Sequence, residues 1–175
     1  METRTERLCL VAGSLDVAIA EIERSPRFGE ILRAEVPSDW PPETLRDALP
    51  FFLDLYRAHP DWVGWLGWYA ISLVGKRPVL CGSVGFKGPP NDEGMVEIGY
   101  SLLPTHRGLG LATEMVAGLV AWAAAQETVR SVEAETTPDN RASLRVLERS
   151  GFVPAGAGRE PGSLRFARML PIPLT

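Results

Sequence analysis

The run "GMVEIGYSLLPTHRGLGLATEMVAGLVAWAAAQ" changes its hydrophobic period halfway along, and that change limits what the chain can fold into. Through Leu103 apolar and polar side chains alternate, with Glu97, Gly99 and Ser101 on one face, as in a strand. From Gly110 onward Met115, Leu119, Trp122 and Ala123 keep a 3.6-residue period, as in a long, largely buried helix. A strand ending at Leu103 and a helix starting near Gly110 leave the first-turn N–H groups of that helix without intrahelical partners. Backed by the positive end of the helix dipole, those donors make an anion site. Gly108 and Gly110 carry no Cβ, so phosphate oxygens can approach the amides, and Arg107 adds a fixed positive charge. A pyrophosphate fits this chemistry.

Three other readings of the glycine junction are open at this point. It can be a strand-to-helix turn that binds nothing. A Walker A loop needs Gly-Lys before Ser or Thr, and this loop has no lysine. A Rossmann fingerprint needs a small residue where Thr113 stands and a parallel strand-helix-strand unit around it. Here hairpins precede the loop. The segments "WLGWYAISLV", "PVLCGSVGFKG" and "GMVEIGYSLLP" are joined by the turn formers "GKR" and "GPPNDE", which predicts an antiparallel meander.

Upstream, Leu8, Leu10 and Ala12 predict a first strand, and Ser14 with Asp16 supplies capping chemistry for a helix to about Arg24. Pro41 and Pro42 mark a helix entry, and Leu45, Leu49, Phe52 and Tyr56 predict one helix over roughly 42–59. Downstream, "SVEAETTP" alternates as a strand, "NRASLRVLERSG" is a helix ended by Gly151, and "FVPAGAG" with "LRFARML" forms a closing hairpin. The chain has 175 residues and 45% hydrophobic content, enough for one domain, 1–175, with a core of its own. A formal charge of -4 offers no basic surface for nucleic acid. No leader pattern and no long apolar span occurs, so a cytoplasmic protein without membrane contact is expected. Cys9 and Cys81 sit in apolar runs as reduced thiols, and His59 and His106 are too far apart for a metal site, so no metal is expected.

The run Arg107-Gly108-Leu109-Gly110-Leu111-Ala112 resembles the Arg/Gln-x-x-Gly-x-Gly/Ala signature of the GCN5-related N-acetyltransferase (GNAT) superfamily. "TTPDNRASLRVLERSGF" resembles its second conserved block, especially in the Rim-like ribosomal-protein N-acetyltransferases, and the element order is similar over nearly the whole chain. The resemblance implies an α/β (α+β) GNAT fold: a twisted, mostly antiparallel mixed sheet of about seven strands, splayed at its centre, with about four flanking helices. It implies acetyl-CoA as co-substrate, its pyrophosphate held by amides from Gly108 through Leu109, Gly110, Leu111 and Ala112 to Thr113. Leu102 matches the strand position whose backbone pairs with the pantetheine arm. Asn140 would lie on pantetheine and Ser143 near the thioester sulfur, where its hydroxyl stabilises or protonates the departing thiolate. An N-cap for Asn140 and a small packing residue for Ser143 are the plainer readings.

Acetyl transfer to an alkyl amine of pKa about 10 requires a base or water relay at neutral pH. Glu97, flanked by Met95, Val96, Ile98 and Gly99, is the first candidate base, and Glu135 on the following strand is the second. Both also fit as solvated or ion-paired strand residues. Tyr100 is a possible proton donor or a core residue, and an N–H near Ser101 or Leu102 could polarise the thioester carbonyl. The acceptor, a protein N-terminus or a small-molecule amine, should be framed by the first helices and the closing hairpin. Seven acids against three arginines between Glu30 and Asp61 suit a cationic amine as well as a solvated face. Trp40, Phe51, Phe52, Tyr56, Trp62, Trp65 and Trp68 suit a core, an acceptor wall or a dimer surface. Monomer and homodimer are both open. A catalytically silent CoA-binding sensor on the same fold is the rival function.

Overall fold

The computed structural model describes residues 1–171, with Thr44 described by its backbone only. Eight strands form one twisted sheet: β1 (Glu2–Arg4), β2 (Leu8–Ala12), β3 (Gly67–Ser72), β4 (Val79–Phe86), β5 (Met95–Leu102), β6 (Ser131–Thr136), β7 (Val153–Ala157) and β8 (Leu164–Met169). Their spatial order is β1-β2-β3-β4-β5-β6-β8-β7, antiparallel everywhere except between β5 and β6. Six helices flank it: α1 (Leu15–Ile22), α2 (Arg27–Leu32), α3 (Glu43–Arg46), α4 (Leu49–Ala58), α5 (Leu111–Ala124) and α6 (Arg141–Arg149).

Both faces of the sheet are covered, and the period-two alternation divides the core accordingly. Leu8, Leu10, Trp68, Val84, Phe86, Val96 and Ile98 pack with Met115, Leu119 and Ala123 of α5 and Leu147 of α6. On the opposite face Cys9, Tyr69, Ile71 and Leu80 meet Val17 and Ala20 of α1 and Phe28 and Leu32 of α2. Tyr56 of α4 closes that layer and donates its hydroxyl to the Gly67 carbonyl at 3.1 Å.

The expected meander, long helix and closing hairpin are all present, and the differences have local causes. The helix predicted over 42–59 breaks into α3 and α4, because Pro50 has no N–H to donate back to Arg46 and its ring clashes there. Ser14 does stand at the N-cap of α1, but its side chain makes no capping hydrogen bond. The short β1 has the polar sequence Glu-Thr-Arg and no periodic signal; it forms by pairing with β2. The aromatic-rich segment divides: Trp65 and Trp68 stack edge-on against Trp122 in the core, whereas Phe51 is exposed.

Met115 is fully buried where α5 crosses the sheet. Met115→Ala should lower unfolding free energy by about 2–5 kcal/mol, read as an earlier denaturant midpoint at unchanged slope.

Candidate active site

β5 and β6 pair only at Met95–Ser131, Val96–Val132 and Glu97–Glu133, after which the two strands part. β5 continues against β4 as far as Leu102, and β6 continues against β8 as far as Thr136. Lys87 N–H donates to the Glu97 carbonyl and Leu103 N–H to that of Cys81, which sets the phase of the β4–β5 ladder. Residues 97, 99, 101 and 103 therefore bond to β4, and the backbone groups of Tyr100 and Leu102 turn into the fork. Of the two amides considered for polarising a carbonyl, Leu102 faces the fork while Ser101 lies in the ladder to Ser83.

Each face of the fork carries a brace. On the α1–α4 face, Arg159 from the β7–β8 turn reaches both diverging strands: its Nη2 pairs with Glu97 Oε2, and its Nε lies 3.5 Å from Glu135 Oε1. Its backbone N–H and the Ser163 hydroxyl also donate to Glu135 Oε2, at 3.0 and 3.1 Å. Burial acts to raise the Glu135 pKa, but these bonds and the charges of Arg159 and Lys87 outweigh it and hold the carboxyl below its usual range. Glu97 is 6% exposed, and its other oxygen pairs with Lys87 Nζ. The apolar surroundings expected for Glu97 are thus cationic on both oxygens. On the opposite face, the Tyr100 hydroxyl lies 2.8 Å from Ser143 Oγ of α6. Burial pushes the Tyr100 pKa up, with the bond to Ser143 opposing.

Beyond the fork, Pro104–His106 makes one 3₁₀ turn and the chain enters α5 through Gly108 (φ +77°) and Gly110 (φ +79°), both left-handed. A Cβ on Gly108 would meet nothing within 4 Å, so the loop is open to solvent above the helix mouth. Arg107 Nε donates to the Leu102 carbonyl at 3.1 Å, which ties the loop to the strand end and occupies one of the two Leu102 groups expected to pair with pantetheine. From the other side, Arg7 Nη1 donates to the Leu109 carbonyl at 2.9 Å, and Glu114 holds Arg7 through its backbone N–H and Nε. Asn140 caps α6, its Oδ1 accepting the Ser143 N–H at 3.0 Å.

On the α1–α4 face a cavity of about 220 Å³ reaches the outer side of β5. Gly99, Ser101, Ser83 and Lys87 form its floor, and Leu49, Phe52 and Tyr56 are among its walls. Glu97, Gly99 and Ser101 share this face, as their spacing predicts, whereas Tyr100 and Ser143 meet across the fork. Cys9 and Cys81 are free and buried, and burial pushes the Cys81 thiol up to about 12. His59 stacks on Trp62 and His106 lies beside Thr105. Among the described residues no group of His, Cys, Asp and Glu is placed to hold a metal ion, and no helix is long and apolar enough to cross a membrane.

Sequence reasoning misses Arg159, Arg7 and Glu21. Nothing in the spacing of "AGAGREPGS" or of the N-terminal residues places Arg159 or Arg7 at the fork or the loop. Glu21 did leave a trace: with Val17 and Ala20 it lies on the apolar stripe of α1, where an acid is out of pattern.

Among the described strands the sheet forks after its parallel pair, β5 and β6, and an open glycine-rich helix mouth lies beyond the fork. Residues 7–153 match the acetyltransferase (GNAT) domain family, and the chain belongs to that family. It is 29% identical over 149 residues to the uncharacterized N-acetyltransferase YjdG of Bacillus subtilis, covering 85% of this chain and 88% of that protein. Over 63 residues, about a third of each chain, it is 40% identical to the probable N-acetyltransferase YjcK of the same organism. RimL, a ribosomal L7/L12 alpha-N-protein acetyltransferase solved in complex with coenzyme A, superposes with a TM-score of 0.65 at 18% identity, covering 97% and 98% of the two chains. A GNAT-family acetyltransferase from Bacillus anthracis gives 0.64 at 18% identity, with the same coverage.

Burial acts to raise the Glu114 pKa, but bonds from Thr5 and Arg7 outweigh it and hold the carboxyl below its ordinary 4.5. A depressed folded-state value adds stability above pH 4.5 that is lost as pH falls through the folded value. Glu114→Gln should therefore destabilise at pH 7, and the gap to the parent should shrink as pH is lowered through the acid range in paired urea titrations. A gap unchanged across that range would contradict the assignment.

Proposed function

We propose that the chain transfers an acetyl group from acetyl-CoA directly to a primary amine, on a protein N-terminus or a small molecule. The observation that carries this is the continuity of three features: the fork, the open amide mouth beyond it, and a cavity reaching β5 from the other face. Acetyl-CoA fits the residues present. The amides from Gly108 to Thr113 take the pyrophosphate, with the Cβ-free surface of Gly108 leaving room for it. Arg107 spends its Nε on Leu102, so its remaining guanidinium N–H groups and its charge are what it offers a phosphate. The Leu102 N–H and the Tyr100 backbone groups supply the main-chain bonds of the fork. Asn140 uses its oxygen for capping and has its amide NH₂ for the pantetheine arm.

For the chemistry, Ser143 Oγ is the hydroxyl offered to the leaving thiolate, and Tyr100, hydrogen-bonded to it, is the proton source behind it. Glu97 stays in the mechanism as the carboxylate end of a proton relay from the cavity floor, its two oxygens held in place by Lys87 and Arg159. Glu135, tied down by Arg159 and Ser163, positions the hairpin that carries Arg159. The fold of the RimL-type neighbour, which acts on a protein N-terminus, supports that branch of the acceptor choice by analogy.

Three variants separate these roles. Thiol release from acetyl-CoA with an amine panel should exceed background for the parent. Gly110→Glu should abolish both thiol release and acetyl-CoA affinity while the far-ultraviolet spectrum is kept; unchanged affinity would remove the loop assignment. Glu97→Gln should keep acetyl-CoA binding and lower turnover about tenfold at neutral pH, and equal rates would remove Glu97. Ser143→Ala should lower kcat with little change in the acetyl-CoA KM.

A further inference from the structure

Glu21 is a buried carboxylate in the wall of the acceptor cavity, 5% exposed, on the apolar stripe of α1. Its Oε1 accepts the Trp40 indole N–H at 2.8 Å, and its Oε2 lies 2.6 Å from the Tyr69 hydroxyl. Both partners are neutral. Among the described residues no Lys, Arg or His pairs with it, although every other buried or half-buried carboxylate near the fork, Glu97, Glu133 and Glu135, has a cation. A carboxylate removed from water without a counter-charge is costly to keep ionised, and burial raises its pKa accordingly. Glutamine here would avoid that cost, accepting the Trp40 N–H on its oxygen and donating its NH₂ to the Tyr69 oxygen. The carboxylate gains its counter-charge only when something cationic enters.

The cavity shows where that cation would sit. Tyr69, Ser83 and Ser101 form one cross-strand row on the α1–α4 face. With strands about 4.8 Å apart, the row carries Tyr69 roughly 10 Å from Ser101, the edge of the fork. Glu21 hangs over the Tyr69 end of that row. Glu21 also lines a second groove of about 560 Å³ between α1, α2 and α4, so the residue stands where the outer groove meets the inner cavity. Resting on the acetyl-transfer reading, we propose that Glu21 is the recognition carboxylate for a second cationic group on a small acceptor, held up to about one cross-strand row (~10 Å) from the nitrogen that is acetylated. The apolar walls from Leu49, Phe52 and Tyr56 take the methylene linker, and the floor of Gly99 and Ser101 receives the reacting amine. The acceptor class is thus a bifunctional amine, cationic at one end and reactive at the other.

The test compares α,ω-diamines of three to six methylenes with the n-alkylamines and amino-alcohols of equal length, by thiol release from acetyl-CoA, in the parent and in Glu21→Gln. The parent should prefer the best diamine over its length-matched neutral-tailed amines by at least tenfold in kcat/KM, expressed mainly in KM, as expected for a charge-assisted bond to a buried carboxylate. Glu21→Gln should bring that ratio down at least tenfold. A parent ratio near one, or an unchanged ratio in the variant, overturns the proposal and leaves acetyl transfer standing. Thiol release at background with every amine overturns the transfer reading instead; calorimetric titration of the parent with the diamines then decides Glu21 by itself, since equal affinity for diamine and alkylamine rejects it. If Glu21→Gln does not fold, the parent ratio and Glu21→Asp carry the same decision.

Discussion

The parting of β5 from β6 after Glu97 is the constraint on which the rest of the molecule turns. Two neighbouring strands that stop pairing expose backbone donors and acceptors, a cost that folded chains rarely leave unmatched. Here each strand stays paired on its far side and the gap between them is spanned by side chains. β6 is committed to β8 through Thr136 and β5 to β4 through Leu102, so each strand has a partner on its far side. Arg159 ties the two diverging strands to one turn on the first face, and Tyr100 is bound to α6 through Ser143 on the second. The Tyr100 backbone groups and the Leu102 N–H are then presented to whatever enters the fork, the Leu102 carbonyl being held by Arg107.

In the proposed reaction, donor and acceptor approach from opposite sides of one strand. The glycine loop, α5 and α6 lie beyond and beneath the fork, while the cavity framed by α1, α3 and α4 opens on the other face. Alternation along β5 does the sorting: residues 97, 99 and 101 share the face of the cavity, and residue 100 faces Ser143. Gly99, exposed and with nothing within 4 Å of a Cβ position, leaves the middle of that strand thin. Bonds from Arg107 to Leu102 and from Arg7 to Leu109 keep the loop in register with the fork.

Much of this was legible in the sequence wherever one local rule decided the outcome. The change of period at Leu103, the glycines at 108 and 110 and the alternation in β5 each follow from side-chain spacing or from φ > 0. The capping bond from the Ser143 N–H to Asn140 Oδ1 was one of the two readings the position of Asn140 allowed. The partners of Glu97 and Glu135 were not legible, because Arg159 lies 62 and 24 residues away and reaches them through a turn whose sequence carries no period. The split at Pro50 was legible in principle, since a proline four residues after Arg46 cannot continue that helix. Glu21 likewise interrupts an apolar stripe, but only the fold shows that no cation answers it.

Amide hydrogen exchange with and without acetyl-CoA tests the central claim most directly. The fork account predicts that the amide protons of Tyr100 and Leu102, together with those from Gly108 to Thr113, gain protection on addition of the thioester. Gly99 and Ser101, already in the β4 ladder, should change little. Protection that appears elsewhere while Tyr100 and Leu102 exchange at their free rates would contradict it.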